Sequence, residues 1–151
     1  MSLMNRSKRM QPVKRIAGDR ADQAARLYAE RRRQHEEQQQ RLAQLEIFRG
    51  EYRDRLRGSG HAGMGAFQLR NYGAFMARID VAVNQQKEAV RRAEQDAESS
   101  RLAWVQLLGR AQAIGKVIER AQVDERRTAE RKQQRLNDEL PRPRRPVPGD
   151  R

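Results

Sequence analysis

Residues 69–121 read LRNYGAFMARIDVAVNQQKEAVRRAEQDAESSRLAWVQLLGRAQAIGKVIERA and carry an apolar repeat of seven residues. Only Gln86 and Ser100 among its sixteen a and d positions are polar, and no Pro interrupts the span. An apolar seam with this period is buried when a second helix wraps along it with a left-handed supercoil. The repeat therefore predicts an all-α fold built on a long coiled coil. The seam positions are Leu69, Tyr72, Met76, Ile79, Val83, Gln86, Val90, Ala93, Ala97, Ser100, Trp104, Leu107, Ala111, Ile114, Ile118 and Ala121.

The partner helix is predicted in the first third of the chain. Residues 19–57 are rich in Ala, Arg, Gln, Glu and Leu, which are strong helix formers. The best heptad register of this segment has four polar residues among eleven seam positions, so its seam is weaker than that of the later helix. Its seam positions are Ala21, Ala24, Tyr28, Arg31, His35, Gln38, Leu42, Leu45, Arg49, Tyr52 and Leu56.

A glycine-rich segment separates the two helical regions. Residues 58–65 read GSGHAGMG, and four Gly in eight residues end one helix and allow the chain to reverse. We therefore expect an antiparallel helical hairpin over residues 12–140, with a turn near 58–66 and a longer second helix. Closure near Met64 places Leu45 opposite Val83, Tyr52 opposite Met76, and Ala24 opposite Trp104.

Both ends of the chain are predicted to lie outside the hairpin. Pro12 suits a first helical turn, so residues 1–11 are expected to form a basic, flexible N-terminus. Residues 141–151 are expected to form a disordered Pro/Arg tail, because Pro recurs every two or three residues there.

The composition narrows the class of protein. Charged residues make up 35% of the chain, aromatic residues 5%, and the mean hydropathy is −1.08, so the large apolar residues are too few to fill a globular core. The net charge of +13 favours acidic partners, which include proteins, nucleic acids and membrane surfaces. There is no Cys and no apolar run of the roughly 20 residues that span a bilayer, which predicts a cytoplasmic protein.

Two groups of apolar residues lie outside the seam. Phe48 and Phe75 occupy g positions on the same flank near the turn, where they either form a partner site or fold down as shoulders of the seam. A second group lies along the later helix and either widens the buried stripe, against the first helix or in a homo-oligomer, or enters a partner. Its members are Leu102, Val105, Leu108, Val117 and Val123.

The sequence shows no catalytic or cofactor motif. Neither His35 nor His61 has a second His, a Cys or a carboxylate at metal-ligand spacing, and the glycine-rich segment lacks the Gly-Lys-Ser/Thr of a phosphate loop. We therefore expect no enzyme activity, no catalytic residue, no metal, no cofactor and no small-molecule ligand.

Several motifs resemble those of a known family. Glu51-Tyr52-Arg53 precedes the turn, and residues 71–79, NYGAFMARI, follow it at a characteristic spacing. Together with Trp104 and Asp138-Glu139 near a basic C-terminus, they make residues 12–140 similar to the FliJ family of the bacterial flagellar type III export apparatus.

The resemblance implies a fold, partners and site residues. FliJ-like proteins are antiparallel two-helix coiled coils that insert their helix ends into a hexameric, FliI-like export ATPase and dock on the cytoplasmic domain of the FlhA-like export-gate protein. They are also credited with escorting export chaperones, and they work in the cytoplasm at the inner-membrane export apparatus. The implied gate-binding residues are Phe75, Ile79, Phe48, Tyr52 and Leu45, and the residues assigned to the ATPase are Val117, Val123, Arg15 and Arg20.

Two alternatives remain open at this point. The positive charge and the arginine-rich ends also fit a basic coiled-coil protein that binds nucleic acid. Against that alternative, Arg is interleaved with Glu and Gln along both helical segments and forms no single-sided stripe. The other alternative is the equivalent stalk protein of a virulence type III secretion system, which has the same physical requirements.

Overall fold

The protein consists of two long α-helices. The structure, a computed structural model, describes residues 5–58, 65–141 and 149. Helix α1 spans Arg6–Gly58 and the longer helix α2 spans Ala66–Glu139, and the two pack against each other. The predicted all-α class, helical pairing and longer second helix are thus confirmed. Most of the predicted turn near 58–66 and most of the predicted tail at 141–151 lie outside the described residues.

The two helices contribute to two compact units. The central unit is Asp19–Leu108, and the terminal unit combines Met1–Gly18 with Gly109–Arg151. Within the central unit the pairing is antiparallel, because Tyr52 stacks on Tyr72 whereas the earlier residue Tyr28 packs on the later residue Trp104.

The heptad seam forms the core of the central unit. Every α2 seam position from Tyr72 to Leu107 is buried or half-buried, and Val83 has no exposed surface. Leu69, the first predicted seam position, is 40% exposed and lies in the first turn of α2. On α1 the half-buried Arg49 extends from the seam to Asp80, with 3.5 Å between its guanidinium and the carboxylate.

A polar layer crosses this seam between two glutamines. The side-chain amide of Gln86 donates hydrogen bonds to the backbone carbonyl of Gln38 at 2.9 Å and to its side-chain oxygen at 2.8 Å. A paired polar group inside an apolar seam favours one alignment of the two helices, because any shift would leave a half-buried amide without a partner. The two glutamines therefore select the observed alignment.

In the terminal unit, α1 starts earlier than the sequence predicts. The helix begins at Arg6 and contains Pro12, so the predicted start at Pro12 and the flexible N-terminus over residues 1–11 are wrong for the described residues from Arg6 onward. The reason is tertiary: the seam spacing continues back from Ala17 to Ser7, and both residues are buried.

A carboxylate of α2 caps the start of α1. Glu125 accepts hydrogen bonds from the Ser7 backbone N–H at 3.1 Å and from the Ser7 hydroxyl at 2.7 Å. The first turn of α1 has no acidic residue of its own, although its unpaired N–H groups and helix dipole favour a negative charge there. Glu125 supplies that charge from the other helix.

Replacing Glu125 with Ala should loosen the first turns of α1. The loss of a charged cap costs roughly 1–2 kcal/mol, so amide hydrogen exchange of residues 7–10 should accelerate about tenfold. The exposed Glu119 lies on the same helix and provides the matched control, Glu119→Ala. Equal exchange in the two variants would contradict a capping role for Glu125.

The outer surfaces carry short-range ion pairs between Glu and Arg. In each of three pairs the arginine hydrogen-bonds a glutamate three residues earlier and holds the pKa of that carboxyl below its usual value. These pairs keep the outer surfaces of both helices hydrated. They add little to the free energy of unfolding because they are exposed to water. They are Glu30–Arg33, Glu88–Arg91 and Glu98–Arg101.

The last part of α2 extends past the start of α1. Every residue from 126 to 139 is exposed. Beyond Ala121 the seam positions become polar, so this segment has no apolar stripe to bury. They are Glu125, Thr128, Lys132, Arg135 and Glu139.

Candidate partner-binding site

Four aromatic rings from both helices form one cluster in the central unit. Tyr52 of α1 lies at its centre, with its ring centroid 4.8 Å from that of Tyr72 and 4.6 Å from that of Phe75, both on α2. Phe48 stacks on Tyr52 at 6.4 Å and meets Phe75 edge-on at 6.5 Å. These distances are typical of attractive aromatic pairs, so each ring limits the freedom of the next. We call these four residues the aromatic cluster.

The two phenylalanines are the surface of the aromatic cluster. Phe48 is 46% exposed and Phe75 is 36% exposed, whereas Tyr52 and Tyr72 are half-buried. Two exposed apolar rings that both pack on Tyr52 form a preorganised surface, because little side-chain freedom is left to lose on binding. This is the flank on which the sequence placed Phe48 and Phe75.

The centre of the cluster carries no charge at neutral pH. Burial raises the pKa of Tyr52 above its usual value, and the neighbouring Tyr72 raises that pKa further through electrostatic interaction and hydrogen bonding. The cluster therefore presents an apolar, neutral face, which suits an apolar partner.

The remaining two gate-site candidates differ in accessibility. Leu45 is half-buried one turn before Phe48 on α1. Ile79, one turn after Phe75, is only 6% exposed and belongs to the seam. The side chain of Ile79 therefore packs in the seam, and a partner has almost no access to it.

Tyr72 is a cluster member that the sequence analysis assigned only to the seam. Its position three residues before Phe75 was a usable signal, because residues three apart on a helix are neighbours. The sequence did not predict the contact of Tyr72 with Tyr52, because the neighbour expected for Tyr52 across the seam was Met76. In the structure the rings of Tyr72 and Phe75 both pack on Tyr52.

The four residues assigned to the ATPase remain separate from this cluster. Arg15 and Arg20 are exposed on α1, whereas Val117 and Val123 are half-buried on α2. In the terminal unit Val117 lines an open groove of ≈ 370 Å³ and Val123 one of ≈ 610 Å³. The first groove is lined by Arg6, Val117, Arg120, Ala121, Asp124 and Glu125, and the second by Lys116, Glu119, Arg120, Val123, Asp124 and Arg127.

The second group of off-seam apolar residues is divided in the structure. Leu102 and Val105 are about half exposed, so neither belongs to a widened buried stripe. Leu108, Val117 and Val123 are half-buried.

Within residues 5–58, 65–141 and 149, no three His, Asp or Glu side chains come together as a metal site would require. Neither described helix combines the length and apolarity that crossing a bilayer requires.

The comparison with known families identifies the chain. The family model described as "Flagellar FliJ protein" matches residues 6–142, which is nearly the whole chain. No curated protein and no solved structure matches. The matched segment contains both helices, the polar layer, the aromatic cluster and the Glu125 cap. The chain therefore belongs to the FliJ family, a family of non-catalytic components of flagellar protein export.

Proposed function

We propose that this protein is the stalk of a flagellar type III export apparatus and acts by contacting two larger partners. The aromatic cluster docks on the cytoplasmic domain of the membrane export-gate protein, and the helix ends enter the ring of the hexameric export ATPase. The observation that carries the gate assignment is the pair of exposed phenylalanines, Phe48 and Phe75, which lie 6.5 Å apart and both pack on Tyr52.

Three of the five candidate residues are assigned to direct contact with the gate. Phe75 and Phe48 enter apolar pockets of the gate, and the edge of Tyr52 closes the contact between them. Exposed aromatic residues in a preorganised cluster are the usual anchors of protein interfaces. Leu45 and Ile79 support the rings from one helical turn away, since Ile79 is buried in the free protein.

We assign the ATPase contact to residues of the terminal unit, and we assign Arg20 of the central unit to the same partner on its own. Residues 5–18 carry five basic residues, all exposed, and no acidic residue. Such a surface attracts an acidic partner and speeds its association. Arg15 and Arg20 provide this attraction, while Val117 and Val123 contact apolar side chains of the ring. The basic residues in residues 5–18 are Arg6, Lys8, Arg9, Lys14 and Arg15.

A role in escorting export chaperones and a location at the inner-membrane export apparatus belong to the same proposal. They rest on membership of the FliJ family, and no described residue is assigned to a chaperone contact.

The experiment that tests this function captures purified partners on the immobilised full-length chain. We expect the gate domain and the export ATPase of the same bacterium to be retained independently of each other. Arg15→Glu combined with Arg20→Glu should reduce ATPase retention about tenfold through charge reversal and leave gate retention unchanged. Failure to retain either partner, or loss of both in the charge-reversed variant, would overturn the proposal.

A further inference from the structure

The sequence around the hairpin turn is free of acidic residues. Between Asp54 and Asp80 there are four arginines and neither Asp nor Glu, in a chain that has 20 acidic residues among 151. This segment includes the last turn of α1 and the first turns of α2. The arginines are Arg55, Arg57, Arg70 and Arg78.

Helix stability explains only part of this pattern. Arg55 and Arg57 lie in the last turn of α1, where a positive charge interacts favourably with the helix dipole. The same dipole favours Asp or Glu in the first turn of α2, and that turn contains neither. The absence of acidic residues at the start of α2 therefore requires another reason.

Large apolar side chains occupy that first turn instead. Phe67, the second residue of α2, is 75% exposed and is the most exposed large apolar side chain in the part of the chain that the structure describes. Leu69, two residues later in the same turn, is 40% exposed. Phe67 precedes Phe75 by two helical turns, or about 12 Å along the axis, and belongs to no ring contact found among the described residues.

We propose that this end of the hairpin binds the surface of an anionic lipid bilayer. Phe67 and Leu69 enter the boundary between headgroups and acyl chains, and Arg57 and Arg70 bind lipid phosphates. This goes beyond the proposed export function, whose two contacts are with proteins, and it does not depend on either of them.

The apolar and basic residues of the site lie close together in sequence at the start of α2 and the end of α1. Amphipathic segments typically bury their apolar face about 5–10 Å into the interface. The two apolar residues lie in the first turn of α2, and Arg70 follows Leu69 directly, so its charge stays close to the headgroups when the ring enters. Arg57 is one residue from the end of α1 and provides the second cation from the other helix.

The positive charge around the hairpin turn favours a lipid surface over a protein as its binding partner. A protein groove for Phe67 would need shape complementarity, whereas anionic lipids only require basic residues around exposed apolar ones. Neither Arg57 nor Arg70 forms an ion pair within the described residues, so both guanidinium groups are available to phosphates.

Vesicle flotation with the full-length chain tests the proposal. Wild-type protein should float with vesicles that contain phosphatidylglycerol and not with vesicles of phosphatidylcholine alone. Phe67→Ala combined with Leu69→Ala should lower the partition coefficient about fivefold or more. Arg57→Gln combined with Arg70→Gln should lower it about tenfold.

The matched control is Ile47→Ala. Ile47 is 61% exposed on α1 but lies beside Glu46 and one turn before Glu51, so its loss should leave flotation unchanged. Trp104, the single Trp, packs on Tyr28 and reports the fold, so its emission should be the same in all variants.

Three results would overturn the lipid assignment. The first is absence of wild-type flotation at low salt. The second is unchanged flotation of the Phe67/Leu69 variant, which would assign adsorption to basic residues elsewhere. The third is that the Phe67/Leu69 variant no longer captures the gate domain while the wild-type protein does not float with vesicles. This end of the hairpin would then be a protein contact. Capture of the gate domain in the absence of vesicles tests the proposed function alone. Failure of one proposal can therefore be distinguished from failure of the other.

Discussion

Replacing Val83 with Asp is expected to unfold much of the coiled coil in the central unit. Val83 has no exposed surface and lies in the seam between the two helices. A carboxylate at this position would be buried without a partner, which lowers the free energy of unfolding by about 3–5 kcal/mol. Thermal denaturation followed by circular dichroism at 222 nm measures the loss.

Val81 provides the control for this substitution within the same turn of the helix. It is the same residue type, two positions earlier, but it is 55% exposed on the outer face of α2. Val81→Asp should change the free energy of unfolding by about 0.5 kcal/mol or less. Similar losses for the two variants would contradict the heptad assignment, because both side chains would then have the same environment.

Replacing Phe75 with Ala is expected to weaken binding to the export gate about 30- to 100-fold, or roughly 2–3 kcal/mol. Phe75 contacts both Tyr52 and Phe48, so its removal deletes one exposed ring and also frees the other from its edge-on neighbour. Titration calorimetry with the purified gate domain measures the change. Helix content should stay the same because Phe75 lies on the flank of the seam and is partly exposed.

Two comparisons keep the Phe75 prediction specific. Val81→Ala removes an exposed apolar side chain from the same helix, outside the aromatic cluster, and should leave the affinity unchanged. Binding to the export ATPase should be unaffected by Phe75→Ala, since the residues assigned to that contact lie outside the cluster. An unchanged gate affinity for Phe75→Ala would remove the assigned site.

The fold was predictable because a two-helix seam is a local pattern. A residue such as Ile118 or Ala97 is buried once its heptad position is known, and no long-range information is needed. Even Arg31 and Arg49 follow the pattern, because a long side chain can lie along the seam while its charged end reaches water or, for Arg49, Asp80. Family membership followed from motifs on either side of the turn, and the family match agrees with them.

Contacts between distant residues were less predictable. The start of α1 depends on Glu125, which lies 118 residues after Ser7 in the chain, so the local preference of Pro12 for a first turn gave the wrong start. The aromatic cluster depends on which rings face each other across the seam, and heptad positions fix that only to about one turn. For this reason the sequence located Phe48 and Phe75 on one flank but did not predict that Tyr72 and Phe75 both pack on Tyr52.

The glutamine layer limits longitudinal sliding of one helix against the other. Much of the α2 seam around Gln86 is small, with Ala93 and Ala97 within three turns, and small side chains interlock weakly. A slip by one heptad would shift the helices by about 10 Å, separate Gln86 from Gln38, and carry Phe75 away from Phe48. The two glutamine amides lie more than two helical turns from the aromatic rings and are not part of the docking surface. They nevertheless keep Phe48 of α1 and Phe75 of α2 at the same height along the helix axis.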